Sequence, residues 1–189
     1  EIIYRRFTYD GRTWSEKEVM LDLKNPFDET RLCISPALIY EDGIYRMWCS
    51  SAEDFEGKYR TINYYEMIDG DMMELKSKHA LSKGILSHID VVKDDGKYWL
   101  VGNDVSVDGF PLRLYSFVSP DEKDYNYEGI LLSHGKRGRW DDRVIYRPSA
   151  VWANQKLWLY YSAYGTNPNT SNHVGLIKVQ NWKELLKCF

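Results

Sequence analysis

The chain has 189 residues, of which 43% are hydrophobic and 28% charged, with a net charge of -3. That balance belongs to a globular protein and excludes a disordered chain, and it offers no basic field to draw in a phosphate backbone, so nucleic acid is not an expected partner. No apolar run approaches the ~18 residues that a membrane-spanning helix needs, so no membrane partner is expected either. Aromatic residues are abundant, at 7 Trp, 15 Tyr and 6 Phe. They favour strands, and they also supply flat faces on which sugars stack, so a β-rich fold and a glycan ligand are both favoured.

In chain order, the first segment, "EIIYRRFTYDGRTWSEKEVMLDL", reads as the outer two strands of a structural unit. The next, "SPALIYEDGIYRMWCSS" (35–51), is an apolar strand, an Asp-Gly turn and an aromatic strand, a strong hairpin signal. A polar-aromatic strand, "YRTINYYEMI", follows it. The same pattern recurs in "HIDVVKDDGKYWLVGND" (88–104), followed by "FPLRLYSFV", and again in "RPSAVWANQKLWLYYSA" (147–163), followed by "HVGLIKV". The chain closes on "NWKELLKCF", which reads as a short helix.

The three hairpins align without a gap when Gly43, Gly96 and Gln155 share a column, at spacings of 53 and 59 residues. Ile39, Val92 and Val151 then coincide, as do Met47, Leu100 and Leu159. The third unit lacks the glycine, so its turn is expected to be of another type. Units of about four strands and 50–60 residues are propeller blades. The sequence thus predicts an all-β fold, a partial β-propeller of about three and a half blades in one domain spanning 1–189. Its blades cover roughly 1–30 (outer strands only), 31–84, 85–143 and 144–189. Fewer than four blades do not close a ring, and the chain begins at Glu1 rather than Met. A fragment, or a ring completed by self-association, is therefore expected.

The three cysteines, Cys33, Cys49 and Cys188, show no metal-binding spacing and read as packing thiols. Trp48, Trp99, Trp152 and Trp158 lie inside strands and read as core. No cofactor and no metal site is read; Asp94-Asp95-Gly96 is a turn rather than a calcium loop.

These hairpins resemble the blade-opening hairpins of the five-bladed β-propeller glycosidases, glycoside hydrolase families 43, 32, 68, 62 and 130. There each inner strand opens with a short x-Pro-x motif, turns at Gly and returns as an aromatic strand ending in Ser or Gly. The likeness runs from about Trp14 to about Val179. It implies a carbohydrate-active propeller, a glycosidase acting on a polysaccharide or oligosaccharide, or else a non-catalytic glycan-binding propeller. An extracellular, cell-surface or periplasmic setting is expected, although no signal peptide is present.

Blade geometry brings the starts of the apolar strands to one funnel, with the loops after the aromatic strands. The first set holds Ser35, Pro36 and Ala37; His88, Ile89 and Asp90; Tyr146, Arg147 and Pro148. The second holds Ser51, Glu53, Asp54, Asn103, Asp104, Tyr164 and His173. Family 43 enzymes place an Asp base in the first blade, an Asp that tunes the acid, and a Glu acid in Glu-Gly-Pro. This chain has Ala37 where an Asp is common and Tyr146-Arg147-Pro148 in place of Glu-Gly-Pro, and keeps an acid only at Asp90. From their place at the funnel, Asp90 and His88 are the acid-base candidates should the propeller be catalytic, and Ser35, Arg147, Tyr146, Asp104, Glu53 and His173 the sugar-contact candidates. For Asp90 a structural partner, either Arg147 or a backbone amide, is the competing role, and for Arg147 a salt bridge between blades.

Overall fold

A computed structural model describes residues 2–23, 32–52, 60–68, 72–79, 86–104, 113–166 and 172–187. Its elements are β1 (Ile2–Arg5), β2 (Glu18–Asp22), β3 (Leu32–Glu41), β4 (Ile44–Ala52), β5 (Arg60–Ile68), β6 (Glu74–His79) and β7 (Leu86–Asp94). After them come β8 (Lys97–Asp104), β9 (Arg113–Ser119), β10 (Asn126–Ser133), β11 (Val144–Ala153), β12 (Lys156–Tyr164), β13 (His173–Val179) and α1 (Trp182–Leu185). Four antiparallel sheets form, ordered β1-β2, β3-β4-β5-β6, β7-β8-β9-β10 and β11-β12-β13. The first strands of successive sheets, β3, β7 and β11, lie side by side. This is the arrangement of a partial β-propeller, in which each sheet is a blade and the first strands line the axis.

The hairpin turns follow from local chemistry. In β3–β4, Asp42 and Gly43 have φ of 54° and 78°, and in β7–β8, Asp95 and Gly96 have 49° and 70°. Positive φ at both central residues matches the right-handed twist of the flanking strands, which is why Asp-Gly is favoured there. The third turn departs from expectation. Asn154 and Gln155 take the same left-handed pair, at 51° and 60°, although Gln155 is not a glycine. Pairing of Ala153 with Lys156 on one side and the wider β11–β12 ladder on the other hold Gln155 there. The ladder outweighs the steric cost of a side chain in that region, roughly 1–2 kcal/mol.

The core lies between sheets rather than within one. Met20, Leu21 and Leu23 meet Met47, Tyr65 and Met67 between β1-β2 and the β3–β6 sheet, which with β7–β10 and β11–β13 makes up the first, second and third blade. Trp48, Tyr64, Tyr98, Leu100 and Phe117 fill the next seam, and Trp99, Val101, Leu157, Leu159 and Trp182 the third. The helix caps that last seam. Asn181 accepts from the Glu184 N–H, and the buried Trp182 ring stacks on Trp99 at 5.6 Å and donates to Ser116 Oγ at 2.9 Å. Of the four tryptophans read as core, Trp48 and Trp99 are buried. Trp152 is 39% exposed, with its Nε1–H on the Lys93 carbonyl, and Trp158 is half-buried under the Lys178 ammonium. Trp158 pairs with the exposed Val151 on the face of the last sheet on which no further sheet packs among the described residues, whereas Trp152 pairs with the buried Leu157 and faces the preceding blade.

The cysteines also differ from expectation. Cys33 and Cys49 form a disulfide across β3 and β4, with Cα atoms 5.7 Å apart, so they are not free packing thiols. Sequence spacing cannot reveal this pair, because Cys33 is in register with Ser51 and reaches Cys49 diagonally across the hairpin. Cys188 lies outside the described residues.

Candidate functional site

Each blade-opening strand carries a β-bulge just after its start. In β3 the register slips between Ile34 and Ala37, in β7 between Leu86 and Ile89, and in β11 between Tyr146 and Ser149. Two residues of the inner strand then face one of its partner, which bends the strand and re-aims side chains. At two of the three bulges a non-glycine residue precedes proline in left-handed conformation: Ser35 at φ 52° and Arg147 at φ 50°. The residue before proline is pushed away from the right-handed helical region, and the bulge supplies the rest. Such backbone strain persists only where surrounding contacts hold it, and it gathers at functional sites.

The three bulges open onto one cleft of about 500 Å³, lined by Ser35, Pro36, His88, Ile89, Asp90, Arg147, Pro148 and Ser149. Four of the residues singled out in the sequence, Ser35, His88, Asp90 and Arg147, therefore meet there. Their columns in the repeat explain this: Ser35, His88 and Arg147 are equivalent positions, as are Ala37, Asp90 and Ser149.

Asp90 is half-buried, and its two oxygens are held by the protein. Oδ1 accepts from the Val91 N–H at 2.9 Å, and Oδ2 from the Ala150 N–H of the next blade at 2.8 Å. Burial raises its carboxyl above the ordinary Asp range, because the charged form loses water, while these two amides and the Ser149 hydroxyl pull the other way. Of the two structural partners proposed from sequence, the backbone amide is the one found. Ser35 Oγ lies 2.6 Å from His88 Nδ1, so a second hydrogen bond joins the first and second blades at the same level. The hydroxyl is able to donate to a bare Nδ1 or accept from Nδ1–H.

Arg147 is exposed, and its brace is on the backbone. Its N–H donates to Asn103 Oδ1 at 3.1 Å, and Asn103 is buried at 1% exposure in the second blade. The guanidinium lies 5.5 Å from the centre of the Tyr146 ring. Among the described residues no carboxylate pairs with it, so the salt bridge between blades weighed from sequence is not formed.

The remaining candidates lie elsewhere. Tyr146 is half-buried behind the cleft, edge-on to Tyr164 at 6.4 Å. Asp104, at the end of β8, accepts from Tyr115 OH at 3.3 Å. His173, at the start of β13, is exposed and edge-on to Trp140 at 5.6 Å. None of the three lines the cleft, whereas Glu53, like Asp54, lies outside the described residues. Two contributors were not among the chosen site residues. Ser149 was legible, as the polar residue in the column of Asp90. Asn103 was legible only as a residue near the mouth; its role as a brace needs the neighbouring blade. Among the described residues no cluster of three His, Cys, Asp or Glu side chains is placed to hold a metal ion.

No protein-family model matches the chain, and no curated protein sequence does. Solved structures do. A family 117 glycoside hydrolase produced by the marine bacterium Zobellia galactanivorans superposes with a TM-score of 0.69 at 16% identity, over 95% of this chain and 58% of that one. A thermostable family-43 glycoside hydrolase gives 0.61 at 13% identity, over 82% and 50%. An α-L-arabinofuranosidase from Fusarium graminearum gives 0.60 at 14% identity, over 78% and 45%. The chain therefore has the fold of the propeller glycosidases and spans about half the length of these proteins, from 45% to 58%.

Proposed function

We propose that this chain is part of a carbohydrate-active propeller of the glycosidase type, whose cleft takes an oligosaccharide or a segment of polysaccharide. The observation that supports this most directly is the meeting of three equivalent bulged strands at one open cleft. That cleft is lined by a carboxyl group, an imidazole, a hydroxyl and a guanidinium, on a fold shared with glycoside hydrolases. These groups are hydrogen-bonding partners for sugar hydroxyls, and rigid strand ends rather than loops carry them.

Hydrolysis of a glycosidic bond uses two carboxyl groups on opposite sides of the scissile bond. Asp90 is the acid that lines the cleft among the described residues. In the hydrolytic reading Asp90 tunes or supplies the acid, since burial keeps its proton bound to higher pH. His88, fixed by Ser35, and Arg147 orient the sugar. That reading needs a second carboxylate, and none besides Asp90 lines the cleft among the described residues. The single acid also favours a second reading, a glycan-binding propeller without turnover. The Cys33–Cys49 disulfide supports an oxidising, extracytoplasmic setting for either.

The test is a screen of aryl-glycosides and natural oligosaccharides with the full chain, reading product release and binding side by side, with Asp90→Asn as control. Turnover lost in Asp90→Asn supports hydrolysis, and saturable binding without turnover supports the second reading. Turnover that survives the substitution removes Asp90 from the chemistry. Neither binding nor turnover across the panel overturns the proposal.

A further inference from the structure

The cleft holds one acidic and one basic side chain, and the protein treats them differently. Asp90 is already engaged, with both oxygens accepting backbone N–H groups. Arg147 is not: its guanidinium is exposed at the cleft, meets no carboxylate among the described residues, and touches only the face of Tyr146. Such a contact leaves the edge of the guanidinium, with its N–H donors, free to engage an anion in the plane of the fork.

The chain also holds this arginine in a costly conformation. Left-handed φ at a residue with a side chain is strained, and here a buried Asn103 carboxamide from the neighbouring blade fixes the Arg147 N–H while Pro148 fixes the next residue. The equivalent bulge in the first blade carries Ser35, and that in the second carries His88, so the fold itself does not require a cation at this position. The positive charge is a property of this sequence.

We infer that the cleft selects an anionic sugar, a uronate or a sulfated residue, through an in-plane pair of hydrogen bonds from Arg147 to its carboxylate or sulfate oxygens. The inference rests on the glycan reading of the cleft and narrows it. Paired hydrogen bonds between a guanidinium and a planar anion are about twice as strong as neutral ones and fix orientation as well as affinity. A neutral sugar at the same place leaves the guanidinium without a charged partner, and the difference between the two is the selectivity.

The experiment is calorimetric titration of the full chain with matched oligosaccharides: a neutral galactan oligomer, an oligogalacturonide and a sulfated galactan oligomer of equal length. Each is repeated with Arg147→Gln and Arg147→Lys. The wild-type chain is expected to bind one acidic ligand at least tenfold more tightly than the neutral one, with a preference that shrinks as salt is raised. Arg147→Gln is expected to lower affinity for that ligand by about tenfold to a hundredfold and to shrink the acidic-over-neutral preference with it. Arg147→Lys, which keeps the charge without the fork, falls between. The two acidic arms distinguish carboxylate from sulfate. Equal affinity for neutral and acidic ligands, or an acidic preference unmoved in Arg147→Gln, overturns the inference and leaves the glycan reading standing. Binding of none of the three, together with a blank glycan screen, takes down both. The melting temperature of each variant is read alongside. Should Arg147→Gln fail to fold, the salt dependence of the wild-type preference and the Lys variant decide.

Discussion

The two ends of the blade-opening hairpins use polar groups in opposite ways. At the turn end, several charged groups close seams between blades. Glu41 of the first blade accepts from the Lys93 ammonium and from Tyr98 OH of the second, while Arg46 reaches back to the Glu41 carbonyl at 3.0 Å. Glu122, in the β9–β10 turn, accepts the Trp48 indole N–H on its carbonyl at 2.8 Å and faces Arg46 Nε at 3.4 Å. Asp94 accepts the Trp182 N–H at 2.7 Å. At the mouth end, among the described residues, the blades are joined by the Ser35–His88 side-chain pair and by bonds with a backbone partner, as between Asp90 and Ala150 or Asn103 and Arg147, while the Arg147 guanidinium faces the cleft. One end is built for closure, and the other keeps donors and acceptors available for a ligand.

The strongest challenge to this contrast is Trp48→Ala. The ring is fully buried between Tyr64 and Tyr98 and its N–H anchors the Glu122 turn, so a loss of about 3–5 kcal/mol is expected in chemical denaturation. A change below about 1 kcal/mol would show that the first two blades are not held at this seam.

Asp90→Ala is expected to cost less, about 2–3 kcal/mol, by leaving the Val91 and Ala150 amides without their acceptor. Its pH dependence carries a distinct sign. Burial raises the folded-state pKa of Asp90, so its favourable contribution is full below the ordinary Asp value near 4 and falls as pH rises through the folded value. Denaturation at pH 3.5 and pH 7 is therefore expected to show a larger stability gap between wild type and Asp90→Asn at the lower pH. A gap that widens towards pH 7 would mean that the carboxyl is stabilised as the anion.

Glu41 has the reverse sign. The Lys93 contact, followed by Tyr98 and Arg46, lowers its carboxyl, so its contribution is present above the ordinary Glu value and lost as pH falls. Glu41→Gln is expected to cost about 0.5–1 kcal/mol at pH 7 and next to nothing near pH 3, since the pair is partly solvated. A cost independent of pH would assign the effect to packing alone.

The smallest effect separates turn from cleft. Gln155→Gly relieves a left-handed glutamine far from the mouth and is expected to stabilise the third hairpin by about 0.5–1 kcal/mol, with no effect on ligand binding. Destabilisation would mean that the turn does not hold the conformation described.

Much of the cleft was legible because the repeat carries it. Once the three hairpins share a column, Ser35, His88 and Arg147 fall at one level, and Asp90 sits beside them. Tyr146, Asp104 and His173 have equal claim on the sequence and do not line the cleft. A strand end tells which level a residue occupies, whereas the bulge and the local ring contacts decide where its side chain points. Cys33 sits opposite Ser51 in the ladder and bonds diagonally to Cys49, a contact that no spacing rule announces.

The sequence by itself determined the hairpins, their order and the two Asp-Gly turns, because alternation of apolar residues and left-handed turn pairs act within a few residues of chain. Burial was decided only by the tertiary structure. Trp48, Val101 and Tyr160 share one column, and Val92 and Val151 share another. Trp48 and Val101 are fully buried and Tyr160 half so, and Val92 is 7% exposed against 45% for Val151. The strands are alike; what differs is whether another sheet lies on that face. Apolar surface leaves water only when a second surface covers it, and that partner comes from residues distant in the chain.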